Sequence, residues 1–494
     1  MRVNLILHPE ELYDHVHELI RMAFPGCQII REEAGSGDVD IHLERQTCPG
    51  KADFSGRVEG DGFQGSNQDV FTWDDGPGND RRQLSRAARR FVYDLLVDVL
   101  GREINSYGTL TGMRPVKLVH IFLDQGFKLA AIQEKLEQDF RLGEDKARLL
   151  VEVAGHNRPF LEAADANPRA VSLYVGIPFC PSRCYYCSFP GAVLKNYEQE
   201  IKPFLVALHR EMKEIAASLG ELGLTVESIY LGGGTPTVLS EGDLANLLAC
   251  LHQYYISPAT KEITVEAGRP DTLTPGKLRL LQEMGINRVC INPQTMHEST
   301  LIRIGRNHTL KGVVEASEWA RAAGIEHLNM DLIVGLPGEG LQENMHTAEQ
   351  ILKLKPDNIT VHTLAVKRGS SLAIQEGLSR LGEKEKEVQS SVDFFASFLR
   401  QAGYQPYYLY RQKYMQASLE NIGYAVPGSF SLYNIQVMEE RQTLIGLGGG
   451  AGSKFLNRAD ASLTSFYNPK NPVSYCANLD RLISGKVDKL RGLH

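Results

Sequence analysis

The sequence predicts an α/β protein centred on a partial (βα)6 barrel, with six parallel strands each followed by a helix. Three observations predict it. Apolar runs of strand length recur at 171–179, 226–231, 262–267, 288–291, 328–336 and 358–365. Helical patterns fill the gaps at about 197–219, 241–256, 275–284, 310–323 and 341–353. Strand–helix alternation at this spacing builds βαβ units and a parallel sheet. The third observation is that residues able to do chemistry fall just after the strands, where such barrels carry their sites.

The segments around the barrel follow in order. Residues 1 to about 75 mix short alternating runs (3–7, 27–31, 40–43) with one amphipathic stretch, 9–24, and read as a small α/β unit. Residues 35–37 and 73–78 are turn-rich. A long helical pattern starts at Asp80 and carries Arg81, Arg82, Arg86, Arg89 and Arg90 on its first turns. A face of that kind meets solvent, scattered acidic partners, an acidic ligand or RNA; the solvated face is the expectation. Pro115 suits the first position of the next helix and Gly126 its C-cap. Helical patterns at 129–140 and 145–155 then lead to Asn167-Pro168, and a boundary is placed near 165. Residues 1–165 form an N-terminal α/β and helical domain, 166–380 the barrel, and 381–494 a small C-terminal α+β domain that covers the substrate. That last part holds a charged helix (381–401), a Tyr-rich strand ending at Tyr410, the string Gly446-Leu-Gly-Gly-Gly-Ala-Gly452 and a helical close. The glycine string is only superficially a dinucleotide loop, since no βαβ unit follows it.

Composition narrows the class. A chain of 494 residues exceeds one hydrophobic core. Its 43% hydrophobic and 23% charged residues are those of an ordinary globular protein, and its net charge of −7 argues against a dedicated nucleic-acid binder. Neither a signal-peptide core nor an 18-residue apolar run is present, so no membrane span and a cytoplasmic setting are expected. Thiols stay reduced there, and clustered cysteines bind metal more often than they form disulfides.

Such a cluster stands at the end of the first strand, in Cys180-Pro-Ser-Arg-Cys184-Tyr-Tyr-Cys187. Eight cysteines in 494 residues give this spacing by chance roughly once in five hundred such chains. Structural zinc wants four ligands, and no second pair or nearby histidine completes this set. An iron–sulfur cube has four irons to ligate, so three cysteines leave one iron open. Cys27, Cys48, Cys250, Cys290 and Cys476 are scattered, and Cys250 and Cys290 read as small core residues. After the second strand comes Gly232-Gly-Gly-Thr-Pro-Thr237, where bare backbone comes close to a ligand. Glu266 ends the third strand and Gln294 the fourth, Arg306 lies in the loop and helix beyond, and Asp331 lies on the fifth. Glycines and acidic residues also make turns and caps, but such features gathered on one rim with three thiols point to a shared site.

These motifs resemble the radical S-adenosylmethionine (SAM) superfamily. Within it, Leu173-Tyr-Val-Gly-Ile-Pro-Phe-Cys180, Val265-Glu-Ala-Gly268, Asn292-Pro-Gln-Thr295, Gly305-Arg-Asn307 and Asp331-Leu-Ile-Val-Gly-Leu-Pro337 are similar to the oxygen-independent coproporphyrinogen III oxidase family. The N-terminal domain and Gly108-Thr-Leu-Thr-Gly-Met-Arg-Pro115 are most similar to its HemZ-like branch. The resemblance implies a [4Fe-4S] cluster on Cys180, Cys184 and Cys187, with SAM on the open iron. It further implies that Tyr174, Gly233, Gly234, Thr235, Glu266, Gln294, Arg306, Asp331 and Ala365 line sites for one or two SAM molecules. Reductive cleavage of the sulfonium would give a 5′-deoxyadenosyl radical.

The implied reaction belongs to haem biosynthesis: two propionates of coproporphyrinogen III become vinyl groups, giving protoporphyrinogen IX. A low-potential electron donor such as flavodoxin or ferredoxin would supply the electron. Lys367, Arg368, Arg411 and Lys413 are candidate cations for the porphyrinogen carboxylates, or plain surface charges. The chain departs from the family where the established decarboxylases often carry a histidine (here Gly176) and a fourth cysteine (here Phe189). Two other readings therefore stay open: a haem chaperone with the same core, and an RNA-modifying radical SAM enzyme resting on the Arg81–Arg90 face.

Overall fold

The structure, a computed structural model, describes residues 1–32, 34–73, 80–187, 192–365, 385–412 and 419–493. Phe189, Lys367, Arg368 and Lys413 lie outside the described residues. Contacts group the chain into two units. One comprises Met1–Glu152 with Glu376–Lys386 and Arg411–Leu419; the other comprises Val153–Gln375, Glu387–Tyr410 and Glu420–His494. This grouping differs from the three-part layout placed at 165 and 380.

In the first unit, β1 (Arg2–His8), β2 (Gln28–Ile30), β3 (Val39–Cys48), β4 (Lys51–Gly60) and β5 (Phe63–Thr72) form a sheet in the order β2-β1-β3-β4-β5. Parallel pairing of β1 with β2 and β3 is followed by an antiparallel meander. The alternation of Val3, Leu5 and Leu7 buries one face of β1. Helices α1 (Leu12–Ala23) and α2 (Asp80–Leu100) share its core, where Phe91 stacks on Phe54 at 5.5 Å. Strands β4 and β5 lie outside the runs read from sequence. Most of β5 is exposed, so its polar residues carry no alternating apolar signal. The available signal was Asp61-Gly62, a two-residue hairpin turn between the paired Gly60 and Phe63, with Gly62 at φ 81°. Beyond lie α3 (Val116–Asp124), α4 (Leu129–Phe140) and α5 (Glu144–Ala166). Pro115 stands one residue ahead of α3, at its cap. Helix α5 runs eleven residues past the expected end at 155, Pro159 included, and stops just before Asn167-Pro168.

The second unit holds the barrel. Strands β6 (Ala170–Ile177), β9 (Thr225–Gly233), β10 (Glu262–Glu266), β11 (Arg288–Cys290), β12 (His327–Val334) and β13 (Asn358–Thr363) are the six expected, in parallel array. Between β6 and β9 a small parallel pair, β7 (Phe179–Cys180) with β8 (Ala192–Val193), brackets the cysteine loop. Parallel strands covered on both faces read as continuous apolar runs, which is why these six were visible. A seventh parallel strand was not expected: β16 (Thr443–Gly448) pairs with the free edge of β6, Gly446 opposite Tyr174 and Gly448 opposite Gly176. Its glycines hid it, being weak strand formers. At the opposite edge β15 (Asn421–Ala425) adds antiparallel to β13 and β14 (Gln405–Tyr410) antiparallel to β15, and the hairpin of β17 (Gly452–Asn457) and β18 (Ser462–Tyr467) extends β16. Among the described residues no helix is long and apolar enough to cross a membrane.

The glycine turn after β16 rests on a buried ion pair. Glu211, on the helix Ile201–Glu221, and Lys486, on the helix Leu479–Arg491, are both fully buried and hydrogen-bonded to each other. Glu211 also accepts from Gly448 N (2.7 Å), Tyr475 OH (2.6 Å) and Asn468 Nδ2 (3.2 Å). Desolvating two charges is tolerated only when every lone pair finds a donor, as here. Replacing Glu211 by Ala should therefore cost about 3–5 kcal/mol in urea unfolding, and Glu211→Leu combined with Lys486→Leu should recover most of it. A loss below about 1 kcal/mol in the single variant would contradict this role.

Candidate active site

Elementary packing explains where the site forms. At the C-terminal ends of β6, β9 and β16 the backbones approach with no side chain between them. A Cβ on Gly176 would lie 2.5 Å from Gly449 O, and one on Gly448 (φ 81°) 2.4 Å from Gly176 O. On the other side Gly233 (φ 110°) faces Ile177, and a Cβ on Gly234 would meet Phe179 O at 2.3 Å and Cys180 Sγ at 2.9 Å. Only glycine fits these positions. Gly234 N donates to Ile177 O (2.7 Å) and Thr235 N to Phe179 O (2.8 Å), fastening the glycine loop along the chain that leads to Cys180.

The result is a cavity of about 270 Å³ lined by all three cysteines. Of the residues expected around it, Tyr174, Gly233, Gly234, Thr235, Glu266, Gln294, Arg306 and Asp331 line it too. Ala365 does not; it stands half-buried just past β13. Arg411 is fixed elsewhere: it is buried, its Nη1 donates to Leu110 O (2.6 Å), and its guanidinium lies 4.2 Å from the Tyr107 ring centre. That arginine is committed to packing and is withdrawn as a surface cation. Cys290 is buried as expected, whereas Cys250 is only partly buried.

Two buried arginines flank the thiols. Arg269, which the sequence reading did not single out, directs Nη1 to Cys184 Sγ (3.6 Å) and Nη2 to Ser182 Oγ (3.0 Å). Its signal was its place directly after the Val265-Glu-Ala-Gly268 motif. Arg306 donates through Nη1 to Asn292 O (2.6 Å) and Gly268 O (3.1 Å), while its buried Nε has no hydrogen-bond partner among the described residues. Gln294 is held at φ 70° between Asp331 O and Ile333 N, and its buried Oε1 is likewise unpartnered. Thr235 Oγ1 donates to Cys180 Sγ at 3.9 Å. Burial pushes the Cys180 thiol up to about 11, so it keeps its proton until a metal displaces it.

Two carboxyl groups on this wall are driven apart. Burial, and then the charge of Asp331, push Glu266 up to about 8. Burial acts on Asp331 in the same sense, but hydrogen bonding to His362, its charge, and a bond from Asn329 Nδ2 (2.9 Å) hold Asp331 below the usual carboxylate value. At neutral pH one group is a donor and the other an acceptor. His362, which was also missed, sits two residues before Leu364 on β13, with Nε2 3.7 Å from Asp331 and Nδ1 3.3 Å from Tyr410 OH.

A partial parallel barrel with a CxxxCxxC loop after its first strand and a bare glycine loop after its second defines the radical SAM class, and the Radical SAM superfamily model matches residues 174–351. Over 485 residues the chain is 35% identical to the oxygen-independent coproporphyrinogen-III oxidase-like protein HemZ of Bacillus subtilis (strain 168), covering 98% of this chain and 96% of that one. The chain belongs to this family of oxygen-independent coproporphyrinogen-III oxidase-like radical SAM proteins. The heme chaperone HemW of the same organism is 35% identical over 222 residues, 44% of this chain and 57% of the chaperone. Among solved structures, the coproporphyrinogen III oxidase HemN from Escherichia coli, a radical SAM enzyme, matches with TM-score 0.50 and 24% identity over 66% of this chain and 72% of its own. That likeness speaks for the fold.

The cofactors of this class are a [4Fe-4S] cluster and SAM. Among the described residues no three His, Cys, Asp or Glu side chains converge on one metal ion. The three thiols instead share a cavity wall, which suits a cube whose irons each take their own thiolate. The glycine cradle and the unpaired Arg306 Nε and Gln294 Oε1 leave donor, acceptor and space for a polar ligand. The residues present fit the pair.

Two outcomes are expected. Cys184→Ala should lose the brown chromophore and the bound iron and sulfide while circular dichroism stays that of the parent; full iron retention would refute the ligand set. Glu266 bears on stability in the cofactor-free chain. Folded, it keeps its proton up to about 8; unfolded, it loses it above about 4.5. The native chain binds the extra proton in that window, so stability falls as pH rises through it. Glu266→Gln should therefore gain in melting temperature over the parent between about pH 5 and about pH 9, and a pH-independent gap would contradict the shift.

Proposed function

We propose that the chain is a radical SAM oxidoreductase that oxidatively decarboxylates coproporphyrinogen III to protoporphyrinogen IX, and that it works in the cytoplasm with a low-potential donor such as flavodoxin or ferredoxin. One observation supports this reading most. Asp331 lines not only the cysteine cavity but also a second compartment of about 160 Å³ inside the barrel, together with Tyr230, Cys290, His362, Tyr408 and Tyr410. Whole-ligand pockets measure roughly 300–1,000 Å³. This compartment suits one arm of a substrate, such as a propionate, beside the radical source. The near full-length likeness to an oxidase-like relative agrees with it.

In this reading Cys180, Cys184 and Cys187 hold the cluster. Gly233, Gly234 and Thr235 lie against SAM, Arg306 Nε donates to its carboxylate, and Gln294 Oε1 accepts from its ammonium or hydroxyl groups. When bound, cluster and SAM supply one-electron cleavage of the sulfonium and hydrogen abstraction from the substrate. Asp331, oriented by His362 and Asn329, accepts a hydroxyl or ammonium proton, while neutral Glu266 donates one. Tyr174 lines the cavity, and Tyr230 and Tyr433 stack with it and with each other at 4.7–6.5 Å between ring centres, backing that wall against water.

A haem carrier is the second reading, and one observation favours it. No histidine fits where Gly176 meets Gly449, so the chain lacks a side chain that established decarboxylases often have there. Anaerobic incubation of cluster-loaded protein with SAM, reductant and coproporphyrinogen III separates the two. Protoporphyrin fluorescence after oxidation is expected; stoichiometric haem binding without turnover would overturn the first reading in favour of the second.

A further inference from the structure

The first unit contains a cavity of about 510 Å³ unrelated to the cysteine site. Arg81, Arg82, Ser85, Arg86 and Arg89 of α2 line it, with Asp14 and His15 from α1 and Thr109, Leu110 and Phe140. The spacing places these arginines on one face of the first turns of α2. Arg86 and Arg89 are half-buried in its wall and Arg81 and Arg82 are exposed at its rim. The expected solvated face, with some pairing to other elements, thus forms at Arg81, Arg82 and Arg89, and it borders a cavity.

None of the four has a carboxylate partner among the described residues. Arg86 lies over the Phe140 ring at 4.4 Å and Arg89 Nε donates to His15 O at 3.2 Å. By contrast, Arg90, one step round the helix, does meet a carboxylate, Asp94, at 3.9 Å. Asp14 is the one carboxylate of the lining among the described residues. Asp139, near enough to bear on Arg86, is engaged by Lys135 at 3.0 Å. Burial, followed by the charges of Arg89 and Arg45, holds His15 below its usual value, so it is neutral at pH 7 and adds no charge.

This arrangement breaks two local rules. Cations are disfavoured in the first turns of a helix, where the backbone already presents positive ends, and like charges three or four residues apart repel. A local violation without a folded-state partner marks a functional site more often than an error. Four guanidiniums against one carboxylate call for an anion of about three charges. Phosphates concentrate that charge in a small volume, and each offers the oxygen pairs an arginine fork matches, whereas carboxylates need a carbon frame for every charge. We propose that this cavity binds a compact polyphosphate, free or at the end of a nucleotide, through Arg81, Arg82, Arg86 and Arg89.

Titration calorimetry of the full-length chain with inorganic tripolyphosphate tests this, using citrate and a short oligouridine as the other probes. Saturable, salt-sensitive binding is expected, weakened about tenfold in the rim variant Arg81→Gln/Arg82→Gln and at least as much in Arg86→Gln. The rim residues are exposed, so that variant should fold and melt no lower than the parent. Cys184→Ala should bind as the parent does. Absence of saturable binding, unchanged affinity in the rim variant, equal affinity for citrate, or oligouridine binding that tripolyphosphate fails to displace would each overturn the proposal.

Discussion

Three backbones meet without side chains at the top of β6, and the site depends on that contact. Gly176, flanked by Gly448 and Gly449 on one side and Gly233 on the other, lets β9 and β16 close around the strand that delivers Cys180. A methyl group on Gly176, Gly448 or Gly233 would strike a carbonyl oxygen, and one on Gly449 the ring of Pro178. The polar work around this contact is done by buried, hydrogen-bonded groups. Glu211 and Lys486 hold the turn after β16. On the far side of the barrel Glu262 accepts from Leu432 N, Tyr433 N and Ser431 Oγ at 2.8–3.1 Å, fixing the helix Leu432–Glu439 so that Tyr433 stacks on Tyr230.

Within that frame the electrostatics of the site are asymmetric. Arg269 and Arg306 set two permanent positive charges beside the thiols, and Arg269 opposes the burial that raises the Cys180 thiol. Glu266 and Asp331 differ in protonation because only Asp331 has a histidine and an amide beside it. The same wall thus presents cations, a neutral acid and an anion, a set suited to a zwitterionic ligand such as SAM.

Much of this was legible in the chain itself. The six strands announced themselves because parallel strands buried on both faces are uninterrupted apolar runs, and the cysteine spacing was too improbable to be incidental. Gly233, Gly234, Glu266 and Asp331 were found because strand ends are where such a barrel puts its chemistry. What escaped notice did so for physical reasons. Strand β16 is interrupted by Gly446 and Gly448, β5 is a mostly exposed edge, and His362 and Arg269 matter through partners distant in sequence. The arginines of α2 were visible, but only packing shows that they border a cavity where, among the described residues, Asp14 is the one carboxylate.

The central claim is that Cys180, Cys184 and Cys187 carry a four-iron cube with one iron free for SAM. Electron paramagnetic resonance of the anaerobic, dithionite-reduced protein, recorded with and without SAM, tests it most directly. The account predicts the spectrum of a reduced [4Fe-4S] centre whose g values shift when SAM is added. A spectrum that SAM leaves unchanged, or the absence of any such centre in reconstituted protein, would contradict it.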